Sequence, residues 1–145
     1  MKKIVAGIAL VASVCAFSAP IMADDIDSAA ALAEIVVKNN FSDNYSYYRS
    51  NDDLYFTIWS DGVAQEISAL LNGDTSLTEA YNGMLSGIGS MAQSLSDLFD
   101  SVELDGANIY LCVANDLNHD DILIVFEDGS LEWDVVNGYR LPMTR

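Results

Sequence analysis

Basic residues are scarce in this chain: six Lys and Arg stand against 22 Asp and Glu, a formal net charge of −16 at pH 7. That excess repels phosphate backbones and anionic headgroups at long range, which excludes nucleic acid and disfavours acidic membranes as partners. Cationic partners, or solubility alone, fit the charge. Histidine occurs once, as His119, which excludes a multi-histidine zinc site within a single chain. Cysteine occurs twice, as Cys15 and Cys112. No repeat with a period of about 20 to 50 residues recurs, which excludes solenoids and propellers, and no low-complexity linker divides the chain.

The N-terminus carries the clearest signal. Met1, Lys2 and Lys3 form a positive start, residues 4–17 are an unbroken apolar or small-residue run, and Ala19-Pro20-Ile21-Met22-Ala23 ends on a small residue just before Asp24 and Asp25. That order describes a cleaved secretory signal peptide at residues 1–23, and hence an exported protein, periplasmic or extracellular. Pro20 and the short apolar centre argue against a retained membrane anchor. Val14, where a lipid-modified cysteine needs a small neighbour, argues against a lipoprotein. Once the signal is removed, nothing apolar enough for stable membrane insertion remains.

Residues 24–145 then form one acidic domain, too short for two domains of ordinary size. Lys2 and Lys3 leave with the signal, so four basic residues face all 22 acidic ones and the net charge becomes −18. Cys112 is the one cysteine left, so no internal disulfide supports the fold and packing must hold it. Its place in a strand-like apolar run, 109–114, predicts a buried, inert thiol.

Asp27 or Ser28 caps a helix over 28–38, followed by a tyrosine-rich hairpin whose second strand spans 54–59, with Ser50-Asn51-Asp52-Asp53 as its turn. Ser60 or Asp61 caps a short helix that stops at Asn72-Gly73. Ser76-Leu77-Thr78-Glu79 has the form of a capping box and opens the longest helix. Its apolar stripe, Leu77, Tyr81, Met84, Ile88, Met91, Leu95 and Leu98, is spaced alternately four and three and reads as core rather than a methionine-lined groove. Small residues Gly83, Gly87, Ser90 and Ser94 suit close approach by another helix. Strands follow over 107–114, 122–126 and 131–136, joined by a long turn at 115–121 and a tight one at Asp128-Gly129. The order α-ββ-αα-βββ predicts a two-layer α+β sandwich, an antiparallel sheet of four to five strands with three helices mainly on one face.

Strand parity identifies the candidate binding surface. Leu54, Phe56, Ile58, Ile109, Leu111, Val113, Ile122, Ile124, Phe126, Leu131, Trp133 and Val135 share one face, ample to pack under three helices. The other face carries Tyr55, Thr57, Trp59, Tyr110, Cys112, Leu123, Val125, Glu132 and Asp134. Its centre, Tyr55, Trp59, Tyr110, Leu123 and Val125, is aromatic and apolar where a solvated face should be polar, the mark of an interface. Tyr45, Tyr47 and Tyr48 of the hairpin, set among Ser and Asn, form a second candidate surface. The partner is a protein or a second copy of the chain.

Asp116, Asn118 and Asp120 occupy the first, third and fifth positions of a calcium-loop pattern, with Glu127 at the twelfth. Asp121 replaces the glycine of that pattern, no helix precedes it, and a strand at 122–126 would carry Glu127 away. A calcium-dependent module on these three residues is therefore an alternative, as is a small secreted hydrolase using paired carboxylates, since 22 acidic residues offer many pairs. No nucleophile and base dyad is legible, and the leading reading is a non-catalytic binding protein. The mass of the exported protein checks the first step: it should correspond to residues 24–145, whereas an unprocessed N-terminus contradicts cleavage.

Overall fold

The computed structural model describes residues 25–100 and 107–139. The signal peptide expected at residues 1–23 lies outside them. Helix α1 (Ile26–Phe41) begins where the Asp25 carboxylate accepts a bond from Ser28 N at 2.8 Å, a cap one turn's start earlier than Asp27 or Ser28. Ser28 N also holds the Asp25 carboxyl below its ordinary value. A hairpin of β1 (Tyr45–Ser50) and β2 (Asp53–Ile58) follows, then α2 (Val63–Leu71), a 3-10 turn (Thr75–Leu77) and α3 (Thr78–Phe99). Asp74, rather than Ser76, caps this last stretch by accepting from Ser76 N. The chain ends in β3 (Ile109–Asn115), β4 (Asn118–Glu127), β5 (Ser130–Asp134) and the two-residue β6 (Gly138–Tyr139).

The expected α+β layout of α-ββ-αα-βββ stands, with the two-residue β6 added at the end: among the described residues, three α-helices accompany one sheet of six strands rather than four to five, and it is mixed rather than wholly antiparallel. The strands lie in chain order from β1 to β6, and all neighbours are antiparallel except β2 and β3, so the sheet is mixed. The parallel pair follows from the connection: α2 and α3 return the chain to the end of the sheet from which β2 started. Every residue of the predicted α3 stripe is at most 3% exposed, including Met84 and Met91, so the stripe is core. It packs with Ala33 and Val37 of α1 and Ile67 of α2 on Leu54, Phe56, Ile58, Leu111, Val113, Ile124 and Phe126. Close approach occurs at Gly89, while a β-carbon at Gly83 of the predicted small-residue flank would meet nothing within 4 Å. At Gly89 a β-carbon would stand 3.2 Å from the Phe126 ring, so glycine lets α3 settle onto β4.

One register shift rearranges the end of the sheet. Leu131 lies opposite Phe126, but Trp133 lies opposite Val125 and Asp134 opposite Ile124, leaving Glu132 as the extra residue of a bulge. Directly opposed residues share a face. Simple alternation would place Trp133 inward and Asp134 outward; the bulge reverses both. Asp134 is consequently 2% exposed, and its Oδ1 accepts from the Tyr81 hydroxyl at 2.9 Å, Val136 N at 3.0 Å and Asn137 N at 2.7 Å. Burial first, and the carboxylate second, raise the Tyr81 hydroxyl far above the ordinary phenol range. The bond ties α3 to β5 inside the core. Tyr81→Phe should therefore cost about 1–2 kcal/mol in urea unfolding, and Asp134→Ala about 3 kcal/mol, because it orphans the buried Tyr81 hydroxyl and removes the acceptor of two part-buried backbone amides. Equal, small losses would contradict this.

Candidate binding face

The sheet face opposite the helices is built in rows by the strand register. Tyr48 lies opposite Tyr55, Tyr55 beside Tyr110, and Tyr110 opposite Glu127. The rings stack: Tyr48 and Tyr55 have centroids 4.7 Å apart at 6°, and Tyr55 and Tyr110 4.6 Å apart at 4°. These spacings equal the distance between neighbouring strands, about 4.8 Å, so each ring can rise straight from its own strand and meet the next face to face. The Tyr110 hydroxyl donates to Glu127 Oε1 at 3.1 Å, closing the row. Burial, then the charge of Glu127, push the Tyr110 hydroxyl up to about 12, so it remains a donor throughout the physiological range. Burial likewise raises Tyr55.

The adjoining row is Ser46, Thr57, Cys112, Val125 and Trp133. Trp133 is a member that alternation missed, since nothing in the local sequence announces the bulge that turns it outward. Cys112 is 8% exposed, and burial pushes its thiol up to about 11. Val125 is partly exposed. Trp59, beyond the end of β2, stacks on His119 with centroids 3.6 Å apart at 20°. Leu123 stands between the register positions Val113–Ile124 and Ala114–Ile122; it is 8% exposed and belongs to the core cluster. Thus Tyr55 and Tyr110 sit side by side, Val125 is one row away, Trp59 is occupied by His119, and Leu123 is largely withdrawn.

The hairpin tyrosines divide between the two faces. Tyr45 and Tyr47 lie opposite Ile58 and Phe56 and pack against the core, Tyr45 donating to Glu34 Oε1 at 2.9 Å and Tyr47 stacking on Phe56 at 4.7 Å. Tyr48 alone belongs to the outer face, where it is 57% exposed at the end of the ladder. The side of its ring turned away from Tyr55 faces the sheet edge.

The acidic turn adopts a different geometry from a calcium loop. Asp116 and Leu117 form a two-residue turn between β3 and β4, with Asn115 opposite Asn118. The Asp116 carboxylate accepts from Gly62 N at 2.8 Å and Ala64 N at 3.0 Å, the unpaired donors at the start of α2, where the helix dipole also favours a negative charge. Asn118 Oδ1 accepts from Asp120 N at 3.3 Å. Two of the three oxygen donors therefore have backbone partners, and among the described residues no group of three or more His, Cys, Asp or Glu is placed to hold a metal. Other carboxylates are similarly engaged: Asp53 accepts from Asn108 N and Asp128 from Ile109 N, both at 2.8 Å.

A cleft of about 460 Å³ lies between the end of α3 and the start of β3, lined among others by Gln93, Ser96, Asp100 and Asp128. Asp128 is already bonded there.

The raised Cys112 thiol yields a pH test. At pH 8 about a hundredfold less thiolate exists than for a thiol at its ordinary value of 9.0, so iodoacetamide should label the folded protein far more slowly than the urea-unfolded chain. Because the folded value lies above the unfolded one, stability is fully present below pH 9 and falls as the pH rises towards about 11; Cys112→Ala removes that part of the fall. Equal labelling rates with and without urea would contradict a buried thiol. Comparison with protein-family models, with curated proteins and with solved structures gives no match, so the geometry alone carries the functional reading.

Proposed function

We propose that this is a small, acidic, non-catalytic protein, exported to the periplasm or the extracellular medium, that acts by binding another protein or a second copy of itself through the aromatic sheet face. The carrying observation is the Tyr48–Tyr55–Tyr110 ladder, stacked in register on the face that the helix layer leaves uncovered. Apolar and aromatic area costs solubility unless it is used, and Val125, Trp133 and Trp59 extend it. Rings already locked against one another lose little side-chain entropy on contact, which favours affinity.

Export is supported by the N-terminal pattern of residues 1–23, and the charge supports partners other than nucleic acid. Among the described residues no helix is long and apolar enough to cross a membrane. The Asp116 turn, spent on the start of α2, lends no support to calcium as the means of binding.

Site-specific photocrosslinking in the producing cell tests the proposal. A benzophenone amino acid at position 55 or 125 should give discrete adducts, whereas the same group at exposed Glu79 on the helix side should give none. Identical adducts from both sides, or none from the sheet face, would sink the proposal. If the partner is a second copy, light scattering will give twice the monomer mass, and Trp133→Glu will halve it.

A further inference from the structure

The sheet has two unlike edges. One ends in β6, two residues long. The other is β1, six residues in continuous register with β2 and, among the described residues, without a second neighbour. Exposed edges of that length are ordinarily blunted by proline, bulges or unpaired lysines, because free N–H and C=O groups invite another strand. Tyr45-Ser46-Tyr47-Tyr48-Arg49-Ser50 has none of these, and its one cation, Arg49, is bonded to Asp27 at 2.8 Å and Asp52 at 3.1 Å.

The hydrogen-bond phase of the hairpin identifies the free groups. Trp59 N donates to Asn44 O, which makes Asn44–Trp59 a bonded pair; alternation then assigns Ser46, Tyr48 and Ser50 to bonds with β2. Tyr45, Tyr47 and Arg49 consequently direct their N–H and C=O groups outward. Tyr48, in the other phase, is a position where an added strand would bring its side chains closest. Its open ring face awaits one more aromatic in the ladder.

Charge decides the occupant. Asp27 and Glu34 of α1 reach the side chains of Arg49 and Tyr45 on the helix side of β1, while Asp43, Asp52 and Asp53 flank the strand in sequence. Among the described residues, Arg49 and Lys38 are the only Lys or Arg to set against these five carboxylates. A second copy would set the same excess against itself.

We infer that the free edge of β1 receives an extended basic segment of a partner protein as a further antiparallel or parallel strand. Alternate side chains of that segment are Lys or Arg, meeting Asp27 and Glu34, and the others aromatic, stacking on Tyr48. The inference rests on the binding role proposed above and names the chemistry of the partner. Main-chain bonds supply affinity in such strand addition, and alternate side chains supply the selection.

A seven-residue peptide of alternating Lys and Tyr is the probe, titrated into the exported protein by calorimetry and followed by amide exchange. In the free protein the Tyr45, Tyr47 and Arg49 amides should exchange quickly, and the peptide should slow all three. A twin with Glu for Lys should bind at least tenfold more weakly, and so should a Lys/Tyr peptide N-methylated along one edge, which keeps the charge but cannot pair. Equal binding of the N-methylated peptide reduces the effect to diffuse charge attraction and overturns the inference. Slow exchange at those three amides before peptide is added, whether from a dimer or from the chain's own termini, overturns it too. Photocrosslinks at position 55 without peptide binding would retire the edge alone; peptide binding without such crosslinks would retire the face.

Discussion

Both faces of this sheet depend on where β3 sits. Like β2, it pairs in parallel on one side and antiparallel on the other, and no short turn ties these two parallel strands together. Its start is clamped from both flanks instead. Asn108 N donates to Asp53 Oδ1 and Asn108 O accepts from Leu54 N, while Ile109 exchanges bonds with Asp128 through its own N–H and carbonyl. A slip of one residue would turn Leu111 and Val113 out of the core and break the tyrosine row at the same moment. The aspartates that begin β2 and open the turn after β4 therefore set the register on which packing and surface both rest.

That use of aspartate recurs. Asp25 caps α1, Asp116 caps α2 from across the fold, and Asp134 gathers a phenol and two backbone amides at the edge of the core. A carboxylate accepts several bonds at once and suits the donor-rich ends of helices and turns. Part of the acidic excess is thus architecture. Other carboxylates, Asp27, Glu34, Asp43, Asp52 and Asp53, lie along or flank the β1 edge, and on the proposed reading they favour a cationic over an anionic partner.

The local features were legible in the sequence. The α3 stripe, the hairpin turn at residues 50–53 and the alternation in β2 and β3 each express a period within one element, and all lie as the pattern implies. What the pattern could not carry was non-local. The parallel pairing needs the paths of two helices. Glu132 is an ordinary strand position until the bulge opposite Val125 and Phe126 shifts it, which is why Trp133 and Asp134 exchange faces. Asp116 reads as part of an acidic turn because its true partners, Gly62 and Ala64, stand more than fifty residues earlier. The tyrosines read as one patch because their even and odd positions, so close in sequence, belong to opposite faces. Stacking itself was invisible, since it requires three strands in register.

The most direct measurement is a set of nuclear Overhauser contacts across the β2–β3 pair in the purified protein. The account predicts parallel contacts that place Leu54 beside Ile109 and Ile58 beside Val113, together with ring contacts linking Tyr48 to Tyr55 and Tyr55 to Tyr110. An antiparallel pattern, or parallel contacts displaced by one residue with the ring contacts missing, would contradict it.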